Sequence, residues 1–443
     1  MPQQHPQIFR LWWPLAATWL MMAAEGPFLA ALIARLPNEK VNLAAYGIAY
    51  ALGLIVEAPV IMLLSAATSV ARDRCGYLRL RRFAILLCVL VTLLLGLLFA
   101  TPVFTFLTSQ LLGLTDEVAH HIRIALALLL PWPAAIGMRR FYQGVLIAHQ
   151  QSRAVAAGTV VRLLGMSGVA LALFSFSDLP GAAIGAAALS CGVLGETCAT
   201  RYLARHAIAS SLKLTPPEPR FKSDRDLLRY YIPLALTPLI GLSVHPMVTF
   251  FLGHAPQALD SLAIMPVIYA LTFLFRALGL SMPEVALTLL EEERGNRVAV
   301  RNFAVKLGLA LGGGLSLIAF TPLHSLWFEQ LSGLSRELSL LGSLPLQILA
   351  LFPALTVVVG YQRALLINTG ITGPISVASA IEAGSIFLLL GALIAWSALP
   401  GVVSAAIAYL VGRLLGIAYQ SRPCHKARKI LEQTLQTGTP LPD

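Results

Sequence analysis

Twelve runs of nearly uninterrupted apolar residues recur from one end of the chain to the other, each long enough to cross a hydrocarbon layer as a helix. They fall near residues 11–34, 42–70, 83–106, 122–147, 154–176 and 181–203, then 228–252, 261–289, 303–321, 340–366, 373–396 and 401–420. In lipid every backbone N–H and C=O must be satisfied within the protein, so such runs fold either as helices or as a closed barrel. The alternating pattern of a barrel strand is absent, which leaves helices. Composition agrees: 12% of the residues are charged and 57% are apolar, with a mean hydropathy of +0.76. Soluble domains carry roughly 25% charged residues. A soluble enzyme, a secreted disulfide scaffold and a disordered chain are thereby excluded. The expected fold class is an all-α integral membrane protein with twelve transmembrane helices.

The net charge of +11 is a statement about orientation. With the N-terminus inside, the outer loops hold only Arg35, Lys40 and Arg336, whereas Arg72, Arg74, Arg79, Arg81, Arg82 and the central linker face inward. By the positive-inside rule both termini are expected in the cytoplasm, with a bacterial inner membrane as the expected location. The basic residues then need no nucleic-acid partner, and the lipid bilayer is the partner they report. No cleavable signal peptide is expected at the N-terminus. The cysteines are Cys75, Cys88, Cys191, Cys198 and Cys424, none in an outer loop, so no structural disulfide is expected.

The sequence repeats. Shifted by 219, residues 14–52 align with 233–271 without a gap and share 12 identities in 39 positions, Pro14/Pro233, Pro27/Pro246, Pro37/Pro256 and Tyr50/Tyr269 among them. At an offset of 220, Thr101-Pro102 meets Thr321-Pro322, Gly113 meets Gly333, and Leu179-Pro180-Gly181 meets Leu399-Pro400-Gly401. An offset of 219 also matches Tyr142-Gln143 with Tyr361-Gln362. Between the halves lies a polar stretch with Thr215-Pro216-Pro217-Glu218-Pro219, which reads as an exposed linker. The expected organisation is a six-helix lobe over 1–204, a cytoplasmic linker over 205–226, a second six-helix lobe over 227–421 and a cytoplasmic tail over 422–443. Each half crosses an even number of times, so a parallel repeat is expected, with a substrate path between the lobes.

This 6+6 parallel repeat, with a proline in the first helix of each half (Pro27, Pro246), resembles the MATE-like superfamily of multidrug, oligosaccharide-lipid and polysaccharide exporters. Glu25, the run Leu43-Ala44-Ala45-Tyr46-Gly47-Ile48-Ala49-Tyr50-Ala51-Leu52 and Arg72-Asp73-Arg74 are most similar to the progressive ankylosis (ANKH) family within it. The fold-level likeness spans nearly the whole chain, and the closer one is concentrated in the first 80 residues. The resemblance implies outward transport of small organic and phosphorylated anions such as citrate, ATP or pyrophosphate, in a bacterial relative whose cargo need not be the same.

Charges placed mid-span carry the functional reading, because each is costly in lipid and is expected to face the bundle interior or a wet cavity. They are Glu25, Glu57, Arg139, Arg140, Arg162, Glu196, Arg276, Arg363 and Glu382. The bases at least match the acids, which favours an anionic solute, since a desolvated guanidinium is a planar fork for carboxylate or phosphate. Arg139 or Arg140, with Arg276 and Arg363, are the candidate anion contacts. Tyr142, Gln143, Tyr361 and Gln362 accompany them, and Arg139, Tyr142 and Gln143 share one helix face. Packing against Glu196 or Glu382 is the competing reading for any one of these arginines. Arg162, without a polar neighbour in its own helix, is the weaker candidate. Glu25, Glu57, Glu196 and Glu382 are the coupling or gating candidates. Glu25 stands two residues before Pro27, where a helix loses a backbone hydrogen bond, and a purely structural hydrogen-bonding role competes there. Glu57 corresponds to Arg276 in the repeat, and the resemblance puts their helices at the lobe interface; an interlobe ion pair competes there with neutralisation inside each lobe.

Other signals carry less. Glu117-x-x-His120 has no second copy, Gly312-Gly313-Gly314 lacks a following Lys-Ser/Thr, and Glu291-Glu292-Glu293-Arg294 reads as a solvated loop. No catalytic motif appears, so the chain is expected not to be an enzyme. The expected function is secondary transport of a small anion by alternating access, in a monomer without metal or cofactor beyond an H⁺ or Na⁺ coupling ion. The alternative is a proton- or sodium-coupled multidrug/cation antiporter or a lipid-linked glycan flippase of the same fold.

Overall fold

The computed structural model describes residues 4–98, 101–149, 151–214, 223–283, 285–286, 297–369, 371 and 373–437. The segment Glu291-Glu292-Glu293-Arg294 and the prolines at 216, 217 and 219 lie outside the described residues. Among the described residues the secondary structure is helical, with no strand. Eleven segments among the described residues are long and apolar enough to cross a membrane. In chain order, with the seventh helix included, they are α1 (Ile8–Ala34), α2 (Glu39–Thr68), α3 (Arg74–Leu98), α4 (Asp116–Ala148), α5 (Arg153–Phe176), α6 (Gly181–Leu203), α7 (Asp224–Gly253), α8 (Ala258–Leu280), α9 (Val298–Phe320), α10 (Arg336–Asn368), α11 (Gly373–Trp396) and α12 (Gly401–Lys429). Within α7 the stretch Leu242–Gly253 is apolar. The chain is a multi-pass membrane protein with the expected helix order.

The repeat is visible residue by residue. Asn38 and Gln257, offset by 219, both take left-handed backbone angles (φ 57° and 53°) at the entry to the second helix of their half. Gly113 and Gly333, offset by 220, have φ 61° and 75°, a region open to glycine at no steric cost. Each ends a short π-helical turn, Phe106–Leu111 or Leu326–Leu331. Asn42 Oδ1 accepts the Ala182 N–H at 3.0 Å, and Ser261 Oγ accepts the Val402 N–H at 3.2 Å. In both halves a polar side chain of the second helix thus satisfies an N–H that the start of the sixth helix leaves without an intrahelical partner.

One sequence-level match does not survive. The helices Trp132–Ala148 and Phe352–Asn368 have equal length and carry Pro133 and Pro353 in the same first turn, which fixes their offset at 220. Tyr142 therefore corresponds to Gln362 and Gln143 to Arg363. Contacts agree: Arg201 donates to Tyr142 Oη at 3.2 Å, and Gln362 donates to Ser421 Oγ at 3.3 Å, with residues 201 and 421 again 220 apart. The recurrence of Tyr-Gln is a one-residue coincidence of composition, and no common Tyr-Gln groove follows from it.

Contacts divide the chain into two compact units, residues 32–254 and residues 1–31 with 255–443. The expected lobes ran 1–204 and 227–421, so each unit differs from its lobe by one exchanged first helix. The exchange has a symmetric chemical basis. Within the second unit, Trp12 Nε1 on α1 donates to the Leu278 carbonyl of α8 at 3.2 Å; within the first, Tyr231 Oη on α7 donates to the Pro59 carbonyl of α2 at 2.6 Å. Both pairs are related by 219. Each receiving carbonyl lies three residues before a helix break, at Met62 or Ser281. The linker and tail are also more ordered than expected. Arg205–Lys213 forms a short helix whose Ser211 donates to the Ala71 carbonyl at 2.9 Å, and the last helix runs from Gly401 to Thr437. All five cysteines are free.

Candidate functional site

In the first unit the mid-span charges meet around Glu196 of α6. Glu196 exposes 0% of its surface, Arg139 4% and Arg162 9%. Arg139 Nη1 donates to Glu196 Oε2 at 2.6 Å, and Gln143 Nε2 donates to Oε1 at 3.1 Å. One helical turn separates residues 139 and 143, so α4 presents both donors to one carboxylate, as their shared face implied. Arg162 Nη1 reaches Glu196 Oε2 at 3.8 Å. Isolated in sequence, Arg162 has its partner on the neighbouring helix: α5 and α6 pack closely, and Glu196 faces back across that contact. Glu57, buried on α2, lies within electrostatic reach of Arg139, Arg140 and Arg162. The half-buried Arg140 lies within electrostatic reach of Glu57 and Glu196, and its Nε has no hydrogen-bond partner among the described residues. Three arginines thus face two glutamates in this unit.

The second unit holds a different balance. Glu382 Oε1 on α11 pairs with Arg413 Nη2 on α12 at 2.8 Å. Arg276 Nε on α8 donates to Thr356 Oγ1 at 3.3 Å, and Arg363 Nη2 on α10 donates to Ser379 Oγ at 3.2 Å. The buried ring of Phe352 takes both Arg276 and Arg413 against it, at 4.8 Å and 4.7 Å from its centroid. Cation–π contact of this kind is stronger where water is excluded. Arg413 lies within electrostatic reach of Arg276 and Arg363, so the three form one group. Three arginines here face a single glutamate.

Residues 162 and 382 are equivalent at the 220 offset, and they carry opposite charges. In the first half the fifth helix supplies a base and the sixth an acid; in the second the fifth supplies the acid and the sixth the base. Each half thus has an ion pair between these helices with opposite polarity, anchored at the equivalent positions 162 and 382, while the sixth-helix partners differ in position: Glu196 corresponds to Gly416 and Arg413 to Val193. Arg413 was not among the expected residues. A single arginine in the apolar run 401–420 was the available signal, obscured by its place in the final helix.

The remaining candidates sit as follows. Glu25 is buried and opens the second part of α1, where the helix is interrupted at Ala24, three residues before Pro27. Its neighbour Gly26 lies against Ala270 of α8. Tyr142 lies under Arg201, 5.3 Å from the ring centroid, and Tyr361 under Arg428 at 5.9 Å. Gln362 ties α10 to α12 through Ser421. These side chains brace helix pairs, whereas Arg140, Arg276 and Arg363 keep cationic groups without a carboxylate hydrogen bond. Among the described residues, no three His, Cys, Asp or Glu gather as a metal site.

No family model matches the chain, and no curated protein matches it. Solved structures do. An inward-facing multidrug resistance MATE family transporter of the MOP superfamily aligns with TM-score 0.67 at 15% identity, over 93% of this chain and 96% of its own. A MOP superfamily transporter from Pyrococcus furiosus, described as having a reversed binding-pocket polarity that suggests a different function, aligns with TM-score 0.63 at 16% identity, over 94% and 95%. A mutant of the Vibrio cholerae MATE transporter VcmN aligns with TM-score 0.61 at 15% identity, over 96% and 98%. The chain has the MATE-like fold from end to end.

Proposed function

We propose that the protein is a secondary transporter that exports a small organic or phosphorylated anion by alternating access. The observation that carries this reading is the excess of arginine over carboxylate inside both units, largest around Phe352, where among the described residues Arg276 and Arg363 donate their hydrogen bonds to hydroxyls. Half-buried guanidinium groups that outnumber the carboxylates beside them favour binding a solute that brings negative charge. The MATE-like fold supplies the transport architecture, and fold alone leaves the cargo open. Closeness to the progressive ankylosis family, and with it citrate, ATP or pyrophosphate as cargo, belongs to this proposal, as do a bacterial inner membrane, cytoplasmic termini and a monomer. Glu25, buried beside a helix interruption, is the proposed site for a coupling H⁺ or Na⁺. If it couples protons, transport by Glu25→Gln loses its pH dependence; an unchanged pH profile contradicts that role.

Counterflow in proteoliposomes tests the substrate class. Citrate, ATP and pyrophosphate are each offered beside a cationic dye. Accumulation of at least one anion is the expected result, and dye movement without anion movement would return the protein to the cation antiporters of this fold.

A further inference from the structure

We infer that the second unit contains a site for a dianion, in which Arg276 and Arg363 contact the solute while Glu382 holds Arg413 and sets the charge of the site. The inference rests on the anion-transport reading and adds to it the location and the valence of the cargo. Arg276 and Arg413 share the Phe352 ring, Arg413 pairs with Glu382, and Arg363 is bonded to Ser379, one turn before Glu382 on α11. Glu382 is the carboxylate among them, and it pairs with Arg413 at 2.8 Å. The hydrogen bonds of Arg276 and Arg363 go to Thr356 and Ser379, hydroxyls that satisfy a donor and cancel no charge. Two positive charges are therefore in surplus, beside a buried phenyl ring that draws in guanidinium groups but cannot neutralise them. The buried Nε atoms of Arg363 and Arg413 have no hydrogen-bond partner among the described residues. A guanidinium fork matches the paired oxygens of a carboxylate or a phosphate-like group.

The first unit makes the contrast. There Glu196 uses both oxygens on Arg139 and Gln143, and Glu57 lies within electrostatic reach of Arg139, Arg140 and Arg162, which brings that cluster closer to neutrality. Two negative charges on one small solute would balance the second unit. A monoanion would leave a half-buried cation uncompensated, and a trianion would leave an excess negative charge.

Calorimetry on the full chain in lipid nanodiscs tests this, with succinate as a dicarboxylate, sulfate as a tetrahedral dianion, acetate as a monoanion and tetraphenylphosphonium as a cation. Succinate or sulfate is expected to bind at least tenfold more tightly than acetate, and the tighter of the two identifies the oxyanion type. Arg276→Gln and Arg363→Gln are each expected to weaken dianion binding by about tenfold to a hundredfold, the range for loss of a charge-assisted hydrogen bond. Arg276→Lys, which keeps the charge and loses the fork, should retain more affinity than Arg276→Gln, and thermal melting without ligand separates misfolding from lost binding. Glu382→Gln adds a third surplus charge and should shift preference from succinate towards citrate. Equal binding of acetate and the dianions, or dianion binding that survives Arg276→Gln and Arg363→Gln but is lost in Arg140→Gln, overturns this site and leaves anion transport standing. Binding of tetraphenylphosphonium with no anion bound overturns both.

Discussion

Replacing Glu196 with Gln removes one charge and almost no volume from a side chain that has 0% exposure. The carboxylate takes Arg139 at 2.6 Å, Gln143 at 3.1 Å and Arg162 at 3.8 Å, so the substitution takes the hydrogen-bonded carboxylate away from two buried guanidinium groups and leaves them the more distant Glu57. Breaking a buried pair from one side costs about 3–5 kcal/mol, most of it the penalty of the stranded charge. Glu196→Gln should therefore unfold several degrees below the parent in detergent or nanodiscs, followed by the fluorescence of the 6 tryptophans. Adding Arg139→Met removes one stranded cation and should return part of the loss, with a coupling of about 0.5–3 kcal/mol between the two sites. A Glu196→Gln protein as stable as the parent, or a double variant no better than the single, would refute the picture of Glu196 as the charge that holds α4, α5 and α6 together.

Two further predictions concern local structure. Tyr231→Phe deletes the hydrogen bond to the Pro59 carbonyl at 2.6 Å and should lower stability by about 0.5–1.5 kcal/mol without altering anion affinity, as read by melting and by calorimetry; unchanged melting contradicts the bracing role. At the start of α7, the Ser223 hydroxyl and the Ser223 N–H hold the Asp226 carboxyl below the usual carboxylate range. A depressed folded value means that its support is complete above the unfolded value, about pH 4, and fades as the pH falls through the folded value. Protection of residues 224–228, taken relative to the intrinsic amide exchange rate at each pH, should accordingly fall on acidification, and Ser223→Ala should show that low protection already at neutral pH; pH-independent protection in the parent contradicts it.

The number and order of crossings were legible because lipid permits few solutions: length and apolarity set the helices, and the prolines and glycines of each half exposed the duplication. The partition into units was not legible. Trp12 and Tyr231 join the second helix of the opposite half, and a contact between residues more than 170 positions apart leaves no periodic mark in sequence. Arg139 and Gln143 were placed correctly on one face, since helical spacing determines that. Glu196 or Glu382 was the expected packing partner, and the packing of α4 on α6 selects Glu196. The Tyr-Gln repeat misled because identity was matched where the helix start, marked by Pro133 and Pro353, governs register. Arg162 looked isolated because ion pairs between helices are invisible along one chain, and the polarity inversion at residues 162 and 382 appears only once both partners are known.

Charge inversion of the second unit is the most direct test of an anion site built on arginine. Radiolabelled dianion uptake and cationic dye uptake are measured in the same proteoliposomes, for the parent and for Arg276→Glu with Arg363→Glu. The account predicts that the variant loses anion uptake and that its selectivity moves towards the dye. Anion uptake that persists in a folded Arg276→Glu/Arg363→Glu protein would contradict it.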